Sequence, residues 1–547
     1  MRIGHAIVLA STLVASVRAA SAQPTGGSTP DGEATAAPDS PATPALGQPI
    51  TPADPAAPSS TAHSEDPVPP VVEPSKPSAV ATTPDPLAPA VITAGPAGPA
   101  ATPAVPATGR GFRFGSYGRI IAGTDLRGGK PESANVVAFG PRIVEPSYLE
   151  LDLSYGFITP RGMQLRPVVT LAFDGTLFHD TGDFDAKPAI RNAYLDAGIT
   201  THLTAWVGSR MYRGDDIYLF SYWPLDDQNT VGGGLYYRRA AHEAQGGDVL
   251  ELALHGGVNR LNRDYQFQQI DVANPAQGSV TVTQLDRQRF VASATAAYIL
   301  AGAATGPSFK LKVHGEVHAI GDGTRRRDDG TFEALPADHG YLICAQLGTF
   351  GWAAPESGFR RHLNVFARYA KGLAAFDELV APTTFGSDRK TTRASELSFA
   401  ASGNFDATFG NVMFGALSRR FVDADDNTAD QDDGWEYAID ARPLARVVPE
   451  LFAGADVSYQ ARFPRGLNPN TERAEDPAVF QVAPMLVYSP MGPSAYDRPQ
   501  LRLVYRAAHS NQAALDLFVP DDPRHGHAWT HFVGVQAEWW FNSSTYR

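Results

Sequence analysis

An alternation of apolar and polar residues with a period of two runs through residues 112–541 and restricts the folds open to this chain. In residues 147–155, for example, three leucines alternate with Glu150 and Asp152. Successive side chains of a β-strand point to opposite faces, so this pattern predicts strands with one apolar and one polar face. No segment has a convincing helical period, and the expected fold class is therefore all-β.

The strands are predicted to close a transmembrane barrel. About 18 alternating runs are joined by short turn sequences, such as Thr159–Gly162, and by long polar loops, such as Asp423–Gly434. Short turns at one end and long loops at the other are typical of outer-membrane barrels, as are aromatic residues near strand ends, such as Tyr155 and Trp539. We therefore predict an antiparallel transmembrane β-barrel of about 18 strands within residues 109–547.

A soluble β-sandwich is the alternative architecture, because its strands would also alternate. Glu150, Lys312, Glu316 and Arg502 lie deep within predicted strands. A packed core would not accept these charges, whereas a water-filled lumen would. No linker-like composition divides residues 112–541 into separate domains, and the barrel is favoured.

The first 22 residues have the features of a secretory signal peptide. Arg2 supplies a positive charge, Ala6–Val17 is a short apolar stretch, and Ala20–Ala22 forms an A-x-A cleavage pattern before Gln23. The apolar stretch is too short to span a bilayer, which disfavours a membrane anchor. We expect export, and residence of the barrel in the outer membrane in contact with its lipid.

Residues 23–108 differ in composition from the rest. Of the 44 prolines in the chain, 21 fall between residues 24 and 106, and the segment contains no Phe, Tyr or Trp. Such a composition cannot bury enough apolar surface to fold. It predicts a disordered Pro/Ala-rich extension that serves either as a periplasmic tether or as a simple linker.

Charge and cysteine content exclude several classes of function. The chain carries 58 acidic and 45 basic residues, a formal net charge of -13, which argues against a nucleic-acid partner. The single Cys344 excludes a disulfide framework and multi-cysteine metal sites. We expect neither a cofactor nor a metal. A barrel enzyme remains an alternative, although no G-x-S-x-G motif is present.

Segments spread along the predicted barrel resemble the maltoporin family of carbohydrate-selective porins. Phe114–Arg119 resembles the first strand, Trp206–Ile217 resembles the run into the third loop, and Asp497–Arg502 and Gly534–Phe541 resemble the last two strands. The resemblance implies an 18-stranded barrel that assembles as a homotrimer. It also implies that the third loop folds inward and narrows the pore.

Three further segments extend this resemblance. Arg142 followed by Tyr148–Leu151 resembles the second and third strands, and Asp183–Phe184 followed by Pro188–Ala193 resembles the second loop and the strand after it. In the family, the aromatic residue of the second loop reaches the pore of a neighbouring subunit. The resemblance therefore implies a non-enzymatic channel whose partners are carbohydrates.

A sugar pore needs two kinds of side chain. Aromatic rings stack on the apolar faces of sugar rings, and polar or charged groups exchange hydrogen bonds with hydroxyls along the path. Conduction requires several weak sites rather than one tight site. The resemblance assigns substrate binding to Tyr117, Arg119, Arg142, Tyr148, Glu150, Phe184, Arg191, Asp216, Trp223, Tyr437 and Trp540.

Strand alternation tests part of this assignment. It places Tyr117, Tyr148 and Trp540 on polar, lumen-facing sides of their strands, and turns Trp539 towards lipid. Trp435 is an alternative to Tyr437 at the start of its strand. Each aromatic residue could instead belong to an interfacial girdle or pack within the protein. Each charged residue could instead be a solvated residue of the pore wall or part of a structural ion pair.

The chain also departs from the family pattern. Ser221 stands where a second acid of the third loop is common, Gly214 where an arginine is expected, and Trp223 where a tyrosine narrows the pore. In the family, the terminal aromatic residue is normally the last residue of the chain, whereas six residues follow Phe541 here. These departures leave the preferred sugar open and keep a general diffusion porin as an alternative function.

Overall fold

A computed structural model of the 547-residue chain provides the structure. It describes residues 110–542 except 131, 178–184, 226, 241–246, 260–267, 275–277, 285–286, 303–306, 328, 353–360, 377–383 and 427–430. The predicted signal peptide and Pro/Ala-rich extension lie outside the described residues and stay predictions.

Eighteen antiparallel strands form one closed sheet in the described part of the chain. The first nine are β1 (Gly111–Thr124), β2 (Tyr148–Ile158), β3 (Gln164–Thr176), β4 (Asp185–Gly198), β5 (Leu203–Arg213), β6 (Asp227–Ala240), β7 (Val249–Asn259), β10 (Arg289–Leu300) and β11 (Ser308–Ile320). The others are β14 (Asp338–Phe350), β15 (Arg361–Gly372), β16 (Ser395–Ala407), β17 (Gly410–Val422), β18 (Gly434–Val448), β19 (Leu451–Pro464), β20 (Ala478–Tyr488), β21 (Gln500–Ser510) and β22 (Trp529–Phe541).

The barrel closes where the last strand pairs with the first. In that pair, Tyr117 of β1 lies opposite Trp540 of β22. Closure leaves the sheet without an unpaired edge, which is the arrangement that allows strands to cross a bilayer. The predicted 18-stranded antiparallel barrel is confirmed, and the β-sandwich alternative is wrong.

The alternation in sequence becomes an inner and an outer face. Along β11, Phe309 and Leu311 point outward and are exposed, while Lys310 and Lys312 point inward and are buried. Glu150 is likewise on the inner face. The outer wall is therefore largely apolar, as lipid contact requires.

Connections differ in length at the two ends of the barrel. Turns such as 159–163 and 199–202 lie at one end, together with the start of β1 and the end of β22. Long connections lie at the other end, and two of them contain hairpins, β8 (Gln268–Asn274) with β9 (Gly278–Gln284) and β12 (Gly323–Arg326) with β13 (Phe332–Leu335).

Among the described residues, helical structure is limited to a few short turns. They are α1 (Gln512–Leu515) and two 3-10 helices, Tyr218–Phe220 and Pro523–Gly526. No helix in the described part of the chain is long and apolar enough to cross a membrane.

The barrel interior is more apolar than the alternation alone suggests. Inward-facing Phe366, Met413, Phe452 and Phe532 are buried in one apolar cluster with side chains of residues 214–225. At this part of the wall, the inner face therefore packs against protein rather than against water. The reason is that chain segments enter the lumen and give these apolar side chains a protein surface to pack against.

Candidate functional site

The connection between β5 and β6 folds into the barrel. Its backbone forms a β-bridge between Ile217 and Tyr222 around a short 3-10 helix. Lys310 of the barrel wall forms an ion pair with Asp215 and fixes the start of the segment to the wall. We call residues 214–225 the inward loop, and it narrows the lumen in the way that the family resemblance implies.

A second segment, residues 125–147 between β1 and β2, also enters the lumen. The ring of Phe139 stacks on that of Tyr222 with 3.9 Å between centroids. The backbone N–H of Arg142 donates to the carbonyl oxygen of Leu219 at 2.8 Å. Placing Arg142 on the second strand was wrong, because this connection crosses to the inward loop before β2 begins.

The third segment comes from the opposite end of the barrel. Residues 489–499 join β20 to β21, and we call them the long turn. The backbone N–H of Ala495 donates to Oδ1 of Asn404 on the wall at 3.3 Å. The Tyr496 hydroxyl donates to Oδ1 of Asp216 at 2.9 Å. The inward loop is therefore held from both ends of the barrel.

Five rings form a continuous series inside the barrel, which we call the aromatic row. Ring centroids of Tyr148 and Tyr117 are 6.0 Å apart, and those of Tyr117 and Trp540 are 6.5 Å apart. Trp540 is 6.3 Å from Tyr496, whose ring is 5.8 Å from that of His362. The lumen positions expected for Tyr117, Tyr148 and Trp540 are those observed, and barrel closure brings the three together.

A carboxylate surrounded by arginines borders the aromatic row. Glu538 contacts Arg498 at 2.9 Å, Arg502 at 2.8 Å and Arg142 at 3.4 Å. It also accepts a 2.8 Å hydrogen bond from the Tyr218 hydroxyl. Charge-assisted hydrogen bonds are stronger than neutral ones, so this group holds β21, β22 and the inward loop in fixed positions.

A second polar group lies at the other end of the row. The Tyr148 hydroxyl donates to Oε1 of Glu150 at 2.6 Å, and Arg191 forms hydrogen bonds with both residues. The Arg119 guanidinium lies 5.4 Å from the centre of the Tyr148 ring and donates to the Tyr117 hydroxyl at 3.3 Å. Four of the expected substrate-binding residues, Arg119, Arg142, Glu150 and Arg191, thus border the rings.

Two adjacent carboxyls of the inward loop have opposite electrostatic surroundings. Burial alone would raise the pKa of Asp215, but Lys310 and Lys312 outweigh it and hold that pKa below the ordinary value. Burial raises the pKa of Asp216 to about 6, although the hydrogen bond from Tyr496 opposes the rise. Asp216 is therefore the carboxyl that changes charge near neutral pH.

The remaining expected residues do not join the aromatic row. Tyr437 lies on the outer face, and its ring stacks on that of Trp435 with 6.1 Å between centroids. The lumen position expected for Tyr437 is therefore wrong, and so is that of its alternative, Trp435. Trp223 is buried on the inward loop with the Arg213 guanidinium 3.8 Å from its ring centre. Phe184 lies outside the described residues.

The structure adds residues that the sequence did not single out. They are Tyr496 and His362 of the row, and Tyr218, Arg498 and Glu538 of the polar group beside it. The inward position of Glu538 could be predicted from the alternation of apolar and polar residues along β22. The other assignments required the paths of the long turn and the inward loop, which local patterns do not encode.

The arrangement is suited to passage rather than to tight binding. A row of rings offers several stacking positions, and the charged groups beside it offer hydrogen bonds at each position. Three segments entering the lumen restrict its cross-section at this level.

The barrel is similar to several solved structures of outer-membrane proteins. Solved structures similar to this chain include OccAB1 of Acinetobacter baumannii, with 13% identity and a TM-score of 0.40 over 79% of this chain and 95% of that one. The outer membrane channel DcaP of the same organism has 12% identity and a TM-score of 0.35 over 79% and 96%. The outer-membrane expressed OmpT of Vibrio cholerae has 10% identity and a TM-score of 0.29 over 78% and 97%. At these scores none of them carries an argument about function.

Curated protein sequences gave no match. In contrast, the family description "LamB porin" matches residues 112–541, which is almost the whole barrel. This chain therefore belongs to the LamB porin family and is an outer-membrane porin.

Proposed function

We propose that this porin mediates facilitated diffusion of carbohydrates across the outer membrane. The aromatic row is the observation that carries the proposal. Tyr148, Tyr117, Trp540 and Tyr496 follow one another at 6.0 to 6.5 Å between centroids. A sugar can exchange one stacking partner for the next at this spacing without leaving the wall.

Polar groups beside the row would act on the sugar hydroxyls. We propose that these polar groups are the side chains of Arg119, Arg142, Glu150, Arg191 and Asp216. Each of them contacts a ring of the row or a residue bonded to it. Their existing bonds would be exchanged for bonds to sugar hydroxyls during passage. Such exchange keeps each binding position weak, as conduction requires.

General diffusion is the second candidate function, and the lumen disfavours it. The inward loop, residues 125–147 and the long turn meet at one level of the pore. A wide, unselective pore has no need for three contacting segments inside its lumen. This convergence supports a selective channel.

Assembly and export also remain proposals. Family membership supports a homotrimer in which the loop bearing Phe184 reaches a neighbouring pore. Residues 1–22 are proposed as a signal peptide that is removed before Gln23. Migration of unheated protein in gels and the N-terminal sequence of the mature protein would test the two proposals separately.

Current measurements in planar bilayers would test carbohydrate transport directly. Neutral di- and trisaccharides of increasing length are added to the open channel, and the block of ion current is titrated. Saturable block that strengthens with chain length is the expected result, since longer sugars cover more rings. If no oligosaccharide blocks the current, the protein is a general diffusion pore.

A further inference from the structure

Six charged side chains beside the aromatic row are joined by ion pairs and carry a net positive charge. Glu538 pairs with three arginines, and Glu145 pairs with two, one of which is shared. We call this group the arginine cluster: Arg119, Arg142, Arg498, Arg502, Glu145 and Glu538. Four positive and two negative charges leave two positive charges in excess.

Most of this charge is held away from bulk water. The side chains of Arg498, Arg142 and Arg502 are 0%, 8% and 9% exposed. Buried charge is costly unless an opposite charge compensates it. An anion that enters the lumen beside the cluster would therefore be stabilised by the excess.

Arg498 has a donor that no described residue uses. Its terminal nitrogens donate to the Asp497 carbonyl oxygen, the Tyr218 hydroxyl and Glu538. Its Nε–H is buried and has no acceptor among the described residues. The Asp497 carboxylate accepts the backbone N–H of Ser494 at 3.1 Å.

A further arginine extends the positive charge along the same strand. Arg506 follows Arg502 by four residues on the inner face of β21, which corresponds to about 13 Å towards the long-loop end. It donates to the Glu132 carbonyl oxygen at 2.8 Å and to Thr530 at 3.3 Å, and forms no ion pair with a described residue. Its charge adds to the field of the cluster.

Neighbouring acids reduce this excess only in part. Glu150 pairs with Arg191, and Asp456 pairs with Arg442. Asp216 interacts with Arg142 and Asp497 adjoins Arg498, so both oppose the field of the cluster, whereas Arg506 adds to it. Asp440 forms a hydrogen bond with Asp456.

We propose that this channel selects anionic sugars, meaning sugars that carry a carboxylate or a phosphate, over neutral sugars of the same size. The inference rests on the carbohydrate transport proposed above and specifies its substrate class. The guanidinium of Arg498 lies 4.3 Å from the centre of the Trp540 ring. Anion recognition and a stacking surface are thus combined at one point of the row.

The acid group and the sugar ring of an anionic sugar each have a matching contact beside Arg498 and Trp540. A guanidinium presents parallel N–H groups that match the oxygens of a carboxylate or a phosphate. The ring beside it offers an apolar face to a pyranose. A neutral sugar stacks on the ring but has no anionic group for the guanidinium, and a simple inorganic anion has no ring to stack.

Matched pairs of solutes would test the selectivity in planar bilayers. Lactose is compared with lactobionate, which is a disaccharide acid of similar size, and glucose with glucose 6-phosphate. Acetate and inorganic phosphate serve as anions without a sugar. Each anionic sugar is expected to block the current about tenfold more tightly than its neutral counterpart, the gain of one charge-assisted contact.

Variants assign the effect to the cluster. Arg498→Gln and Arg502→Gln should each weaken block by lactobionate about tenfold more than they weaken block by lactose. Arg166→Gln is the matched control, because Arg166 is an inner-wall arginine paired with Asp196 away from the cluster. Arg498→Lys keeps the charge and loses the parallel N–H groups of the guanidinium, so its affinity for lactobionate should be intermediate. Migration of unheated protein in gels identifies any variant that has not folded.

The outcomes separate the two proposals. If lactose and lactobionate block equally well, the anionic selectivity is wrong and carbohydrate transport stands. If neither blocks, carbohydrate transport itself is wrong. If acetate and phosphate compete as strongly as the anionic sugars, the cluster serves a general anion pore, and the sugar part of the inference is overturned.

Discussion

Trp539 lies directly over Gly118 on the outer face of the barrel seam. The two residues are opposite each other where β22 pairs with β1. The indole Nε1–H donates to the Ser116 hydroxyl at 3.1 Å, and a Cβ atom at Gly118 would overlap the six-membered part of the ring. The glycine therefore allows the tryptophan to cover the seam at which the sheet closes.

Gly118→Ala should weaken barrel closure. The added methyl group must displace the Trp539 ring, and overpacking of this kind costs about 1–3 kcal/mol. The folded form should convert to the unfolded form at a lower temperature in gels of samples heated stepwise. Gly256→Ala is the control, because a Cβ atom there meets open space. Equal conversion temperatures for the two variants would contradict the role of the Gly118–Trp539 contact.

Trp540→Ala should weaken sugar block about fivefold, which corresponds to the loss of roughly 1 kcal/mol of stacking. Ion conductance should stay the same or rise, because a bulky ring is removed without a change of charge. Trp539→Ala and Tyr437→Ala should leave sugar block unchanged, since both rings lie on the outer face. Titration of sugar block in planar bilayers measures all three. A loss of affinity in Trp539→Ala alone would mean that the register of β22 is shifted by one residue.

Local alternation was sufficient to predict which side chains enter the lumen. Successive side chains of a strand point to opposite faces, so one clearly polar residue on the lumen side determines which other side chains of that strand also face the lumen. Glu538 in this way fixes Trp540, and Glu150 fixes Tyr148. Closure of the barrel then places Tyr117 between the two rings, although the residues are far apart in sequence.

The same rule explains the error at Tyr437. Glu436 and Asp440 are buried on the inner face of β18, so the intervening odd-numbered positions must face outward. The sequence contained this signal, but Tyr437 was assigned from its order along the chain relative to the family. Strand alternation was the better guide because it reflects the geometry of this particular strand.

Arg142 and Tyr496 show where sequence reasoning reaches its limit. Both lie on connections that enter the lumen, and their positions depend on contacts with the inward loop. Such contacts join residues that are distant in sequence, so no local periodicity reports them. The apolar inner wall has the same origin, since Phe366 and Met413 are buried by a loop rather than by neighbouring strands.

Lys310→Met should release the inward loop from the wall. The Asp215 carboxylate would lose its ion-pair partner in a buried position, which is strongly destabilising for the local structure. We expect a larger and noisier single-channel conductance, because the loop would no longer hold one position in the lumen. Lys187→Met, at an exposed position on β4, is the control and should leave conductance unchanged. A quiet conductance of normal size in Lys310→Met would show that packing alone holds the loop.

The charge of Asp216 should make ion selectivity depend on pH. Burial raises its pKa to about 6, above the ordinary value for an aspartate. The carboxyl is therefore charged at pH 8 and mostly protonated at pH 5, so the preference for anions should increase as the pH falls through 6. Protonation also stabilises the folded state, and this contribution is present at low pH and lost as the pH rises through 6.

Two variants and a control identify the group through reversal potentials measured in a salt gradient between pH 5 and pH 8. Asp216→Asn should abolish the transition. Tyr496→Phe should move it above pH 6, because the hydroxyl that donates to the carboxylate and opposes the rise in pKa is removed. Asp522→Asn should leave the transition in place, since hydrogen bonds from Arg524 lower the pKa of Asp522 to about 2 and keep it charged throughout the range. A transition that persists in Asp216→Asn would assign the effect to another group of the lumen.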